Sequence, residues 1–399
     1  MATRSIALVR GGVSLFTFLI ANLIASRDGF AYLGEIAIVL GFVTIGSSLM
    51  ALGIPEQIQK LVADISVGNE KEKGRIEVPL YGMMLVGGGY YIYLTYCTSG
   101  ISGSPSLRSV LMLFCIVFSV LNECAARLLM QAGKYVPGQI ASLMPVVVLW
   151  LVAFLNFVFK GEIQIVWIFV FSWGIFSFFG YKVFSRSEIW AARLVPVFFP
   201  GGVGLKSALV RLCISVYDSV LLIAFSGGDP KISGVISYVF RLFGPIAILS
   251  TAATAITQSR QFSAKYSYED DVRKKCVRSL FVNIFLSLMI FLVFFAIKKW
   301  GIKIELPDGF PMDLCVFVLL VCLHRALYIS YQYTSQVAIL KFNVFLLLPF
   351  FLGFAAIAVN GGLAVSYFSE AGLVAFVTIV SLVVSVGAVL LIPGKLANK

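Results

Sequence analysis

The residues able to do chemistry are the ionisable side chains that interrupt an otherwise apolar chain: Arg10, Glu123, Arg211, Asp218, Arg241, His324 and Arg325. Each costs about 2.5–3.5 kcal/mol to insert at the centre of a membrane helix, so each needs a partner or a wet cavity. Arginine is planar, permanently charged and bidentate, which suits phosphate and carboxylate. The deep arginines (Arg10, Arg211, Arg241, Arg325) outnumber the deep carboxylates (Glu123, Asp218). A cavity lined by them favours an anionic substrate such as a phosphate or pyrophosphate. Tyr217 and Tyr238, with Tyr328, Tyr331, Gln332 and Gln336, offer the rings and amides that sugars need. The competing role for these tyrosines is core packing or an interfacial belt.

Spacing proposes partners. A helix rises about 1.5 Å per residue, which puts Arg10 and Arg211 at a common depth of roughly 7–8 Å on the cytoplasmic side of the midplane. They are expected to face each other across a central cavity, the alternative being that they snorkel to headgroups. Asp218 and Arg241 share a depth on the other side and are expected to form an ion pair. Pro245 follows Arg241 by four residues, removes a helix hydrogen bond, and is the candidate hinge. His324, the sole histidine, is expected to be a hydrogen-bonded packing residue before a proton carrier. Arg325 lies too deep to snorkel. Glu123 has Arg127 one turn away, a pair that accounts for its charge; it is also the best acidic site for a coupling ion.

Other chemistries are excluded or weakened. The 7 cysteines show no paired spacing, so neither a metal site nor a disulfide framework is expected. No phosphate-binding Walker sequence is present, hence no ATP hydrolysis by this chain. Without a long extracytoplasmic loop to carry catalytic groups, a glycosyltransferase or polymerase is disfavoured. The chain is expected not to be an enzyme and to need no cofactor beyond a coupling ion, H+ or Na+.

The positioning elements follow from composition. Of 399 residues 60% are hydrophobic and 13% charged, too few charges for a soluble surface. Apolar runs of about 20 residues, the length that crosses the hydrocarbon as a helix, recur over 5–26, 33–54, 78–98, 107–130, 138–158, 163–184, 205–226, 232–257, 279–297, 312–334, 341–359 and 370–392. Most of the 31 Lys and Arg residues fall on one side of these spans, which the positive-inside rule assigns to the cytoplasm together with both termini. The net charge of +12 reflects that bias and attraction to anionic lipid, not nucleic acid.

The sequence also repeats. ALVRGGVSLFTFLIANLI (7–24) lies over ALVRLCISVYDSVLLIAF (208–225), pairing Arg10 with Arg211 and Ser14 with Ser215. YLGEIAIVLGF (32–42) lies over ISGVISYVFRL (232–242), pairing Gly34 with Gly234. The alternative is chance similarity between apolar helices. The repeat predicts an all-α polytopic protein of twelve transmembrane helices. They form two six-helix bundles, 1–184 and 205–399, related by a pseudo-twofold axis along the membrane normal. The cytoplasmic linker 185–204 is the expected hinge between them.

The first hairpin, RDGFAYLGEIAIVLGFVTIGSSLMALGI, resembles that of Wzx-type polysaccharide flippases of the multidrug/oligosaccharidyl-lipid/polysaccharide exporter superfamily, through Gly29, Tyr32, Gly34, Gly53 and Ile54. Asp218, Gly234, Tyr238 and Arg241 match that family's second-half pattern, although GVISY is looser than its usual Gly-x-Tyr. The resemblance implies a flippase that moves an undecaprenyl-pyrophosphate-linked oligosaccharide across the bacterial cytoplasmic membrane by alternating access. It implies membrane lipids and other polysaccharide-assembly membrane proteins as partners. The alternative within the superfamily is a cation-coupled drug or metabolite antiporter.

Overall fold

A computed structural model of the chain describes residues 2–58, 61, 75–97, 104–185, 193–197, 202–226, 229–244, 272–300, 304–307, 310–337 and 370–390. Nearly all are helical. The helices are α1 (Ala2–Ala25), α2 (Phe30–Ala51), α3 (Leu80–Cys97), α4 (Pro105–Gln131), α5 (Tyr135–Val158), α6 (Ile165–Ser185), α7 (Gly202–Ala224), α8 (Pro230–Leu242), α9 (Val272–Lys299), α10 (Leu314–Val337) and α11 (Glu370–Leu390). Through α10 each sits on the expected span of the same number, α8 on the first part of the eighth, whose residues 245–257 lie outside the described residues, and α11 sits on the twelfth. The expected eleventh span, 341–359, lies outside the described residues, as does Pro245.

Eight of these helices are long and apolar enough to cross a membrane. α7 carries Lys206, Arg211 and Asp218; the last two belong to the site described below. Strongly apolar side chains on α9, such as Phe281 and Phe285, lie exposed, as a lipid-facing helix requires. α2 is the opposite case: most of it is buried, and Ile36, Ile38, Val39 and Phe42 are wholly so.

α2 packs most extensively on α8 and also on α7. The crossing with α8 is made by the repeat-related glycines. A β-carbon on Gly34 would overlap the Pro230 carbonyl, and one on Gly234 would overlap the Phe30 carbonyl. The contact is reciprocal: each glycine admits the backbone four residues before the other, as at an isologous interface. The repeat noticed in the sequence is thus a packing relation at the ends of α2 and α8 away from the Lys/Arg-rich side.

At the Lys/Arg-rich end, β1 (Arg75–Val78) pairs in parallel with β2 (Arg193–Pro196). Val197 extends the ladder by donating its N–H to the Val78 carbonyl at 3.0 Å. Part of the linker expected to act as the hinge is therefore tied to the segment between α2 and α3 by backbone pairing.

Candidate functional site

α2 ends at Leu52 and Gly53, both with positive φ (40° and 79°), a conformation that glycine takes without cost. Pro55 follows, suited to the first turn of a helix, and residues 54–58 form a short helical turn. This break swings Glu56 back under the bundle, where it is 3% exposed. From α7 of the other half, Arg211 Nη1 donates to Glu56 Oε1 at 3.4 Å. Arg211 Nη2 also pairs with Glu123 of α4. Glu123 in turn accepts from Arg127 at 3.3 Å, as the i,i+4 spacing predicted. Arg10 turns to α5, donating to Gln139 Oε1 at 2.6 Å. Arg10 and Arg211 therefore do not confront each other across an open cavity, as equal depth had predicted. Two carboxylates and an amide of the N-terminal half separate them.

A second polar station lies in α7, α8 and α10. Asp218 pairs with Arg325, not with Arg241 as matched depth had suggested. Depth fixes height, not azimuth, and it is α10 that presents a guanidinium to Asp218. Arg325 is sandwiched between Phe240 and Tyr328, 4.5 and 4.6 Å from their ring centroids. Arg241 instead lies 4.6 Å over the indole of Trp150 from α5, a cation–π contact across the halves.

His324 is fully buried, with Nδ1 2.8 Å from Ser381 Oγ, and it packs between Tyr217 and Phe240. It is placed as a packing residue. Tyr217 and Tyr238 are not among the residues lining the cleft described below. Both have no exposed surface, because their hydroxyls are used internally: Tyr217 donates to the Ser381 carbonyl at 2.9 Å and Tyr238 to Asn22 Oδ1 at 2.8 Å. Their buried rings need such partners.

Among the described residues a cleft of about 690 Å³ opens between α1, α8 and α9. Ser14, Asn22 and Ser26 form a polar stripe along α1; Phe18, Val293 and Trp300 supply apolar wall; Arg241 is the charged residue in its lining. Of the four deep arginines, Arg241 alone lines this cleft, and among the described residues it forms no salt bridge. Two residues were missed from sequence. Glu56 stands in a polar loop segment, where a buried role leaves no apolar signature. Trp150 sits in an apolar run that gives no hint of an arginine partner. The Gly53-Ile54-Pro55 stop was the available signal for Glu56.

Among the groups highlighted by the hairpin patterns, several have plain structural work. Tyr32 donates to the Ala153 carbonyl at 2.9 Å, Gly29 lets Ile24 and Phe157 approach, and Gly53 ends α2.

No family model and no curated protein matches the sequence. The fold is one already seen in multidrug and toxic compound extrusion (MATE) transporters. The chain is similar to the MATE multidrug transporter DinF-BH, over 98% of this chain and 94% of that one, at TM-score 0.55 and 12% identity. It is also similar to the outward-facing form of a MATE transporter of the MOP superfamily (98% and 94% covered, TM-score 0.50, 16% identity). A third likeness is to the eukaryotic MATE transporter AtDTX14 (99% and 95% covered, TM-score 0.50, 14% identity).

Proposed function

We propose that this chain is a multi-pass membrane carrier that works by alternating access between two six-helix halves, with the Lys/Arg-rich end in the cytoplasm. Its substrate on this reading is an amphiphile with an anionic headgroup, of the lipid-linked oligosaccharide kind, moved across a bacterial cytoplasmic membrane. The observation that carries it is Arg241, a guanidinium without a carboxylate partner among the described residues, set in a cleft whose other lining residues are neutral. A phosphate could draw Arg241 from the Trp150 face with bidentate geometry. The serine and asparagine stripe of α1 could meet sugar hydroxyls, and apolar chains could follow the Phe18 and Trp300 wall.

The second reading, a cation-coupled drug or metabolite antiporter, is favoured by the fold likeness to multidrug transporters and by the apolar share of the cleft wall. One charged group decides between them. In a flippase-null bacterial strain, the chain should restore surface glycan, Arg241→Ala should abolish that restoration, and Arg241→Lys should keep part of it. Extrusion of a lipophilic cationic dye by cells of the same strain, undiminished in Arg241→Ala, would decide for the antiporter.

A further inference from the structure

Two of the polar residues that line the cleft are held in place from the opposite half. Arg241 of α8 lies 4.6 Å over the indole of Trp150 of α5. Asn22 of α1 accepts at Oδ1 from the Tyr238 hydroxyl of α8 at 2.8 Å. The two supporting residues are not in the cleft lining, and both are wholly buried. Tyr238 is itself fixed by the rings of Phe18, Phe30 and Phe294, with centroids 6.4, 5.8 and 6.4 Å away.

The chemistry of each contact sets what the cleft offers. Stacking uses the flat face of a guanidinium and leaves its N–H edge. A phosphate that reaches that edge need not draw Arg241 fully off the ring to be gripped. The tyrosine bond occupies the acceptor end of the Asn22 amide and leaves the donor end, Nδ2, without a partner among the described residues. Both supports leave donors for a ligand, which an anion needs and a cation does not.

We propose that Trp150 and Tyr238 are positioning residues for the anionic headgroup, and that they work only while the halves are in contact. Each acts across the interface. Trp150 of the N-terminal half sets Arg241 of the C-terminal half, and Tyr238 of the C-terminal half sets Asn22 of the N-terminal half. When the halves part at this cleft, both supports are withdrawn together, Arg241 and Asn22 regain free rotation, and the grip on the headgroup falls. By linkage, a bound headgroup favours contact between the halves by the same factor. The inference deepens the anionic-headgroup reading and rests on it.

The test compares two probes, farnesyl pyrophosphate and farnesol, which share an apolar chain and differ in charge. The quantity read is the ratio of their affinities for the purified protein in detergent. Trp150→Leu should lower that ratio roughly three- to thirtyfold, the range for losing a cation–π contact. Trp150→Phe, which keeps a ring face, should lower it less. Tyr238→Phe, which loses only the hydroxyl, should lower it roughly two- to fivefold. A residue that merely packs would change both affinities alike. Spin labels at Arg27→Cys and Lys299→Cys, exposed positions beside the lining residues Ser26 and Trp300, report the width of the cleft on a background whose native cysteines are replaced. Farnesyl pyrophosphate should enrich the shorter distance on that background and not when Trp150→Leu is added. An unchanged ratio in all three variants, or a shortening that persists with Trp150→Leu, overturns the proposal. If Arg241→Ala also keeps the full ratio, the substrate reading falls and the inference falls with it. If Arg241→Ala loses the ratio while the three variants keep it, the reading stands and the inference alone falls.

Discussion

The halves of this protein meet in two unlike ways. At the α2–α8 crossing, Gly34 and Gly234 let backbone touch backbone, and the contact is steric and reciprocal. At the Lys/Arg-rich end the contact is ionic and one-sided: among the described residues Arg211 reaches Glu56 and Glu123, whereas its repeat mate Arg10 reaches Gln139 within its own half. The repeat is kept where shape matters and lost where charge matters. A steric contact has one energy minimum and suits a pivot. An ion pair shared by several groups has alternatives close in energy and suits a latch that opens.

That contrast can be broken, most severely at the charged end. Arg211→Met removes the guanidinium that donates to buried Glu56 and should cost about 3–5 kcal/mol, as one-sided removal of a buried pair does. The double variant Arg211→Met with Glu56→Gln should recover most of it. Melting temperatures of purified protein in detergent measure both, and additive losses would argue that the two side chains do not interact.

The steric contact comes next. Gly34→Ala or Gly234→Ala must push helix backbones apart, and should cost about 3 kcal/mol, the upper range for overpacking. Because both changes wedge the same crossing, the double variant should lose less than the sum of the two. Full additivity would mean the glycines act separately.

A smaller effect is expected at Asp218 and Arg325, whose pair is only partly buried at 31% and 16% exposure. Arg325→Met should cost about 1–3 kcal/mol, less than a sealed pair, and Asp218→Asn on that background should restore stability. If Arg325→Met is neutral while Arg241→Met destabilises, the pairing described here is wrong. Smallest of all is Ser48→Ala, which removes a serine–serine hydrogen bond to Ser215 across the halves and should cost about 1 kcal/mol. An effect much larger than this would show that the α2–α7 contact, not the ionic one, holds that end together.

By itself the sequence determined the helices. Runs of about 20 apolar residues leave the backbone no other way to satisfy its hydrogen bonds in lipid, and α1 through α10 fall on them. It also announced, through Gly34 and Gly234, that two of those helices are related, because only glycine admits a backbone so closely. The i,i+4 partners Glu123 and Arg127 were legible for the same local reason. Only the tertiary structure decided which arginine meets which acceptor. Depth along a helix is read from residue number, but which face turns to which neighbour depends on how eleven described helices settle together. So Arg325 took Asp218, Arg241 took the face of Trp150, and a break at Gly53 brought Glu56 from a loop into the interior.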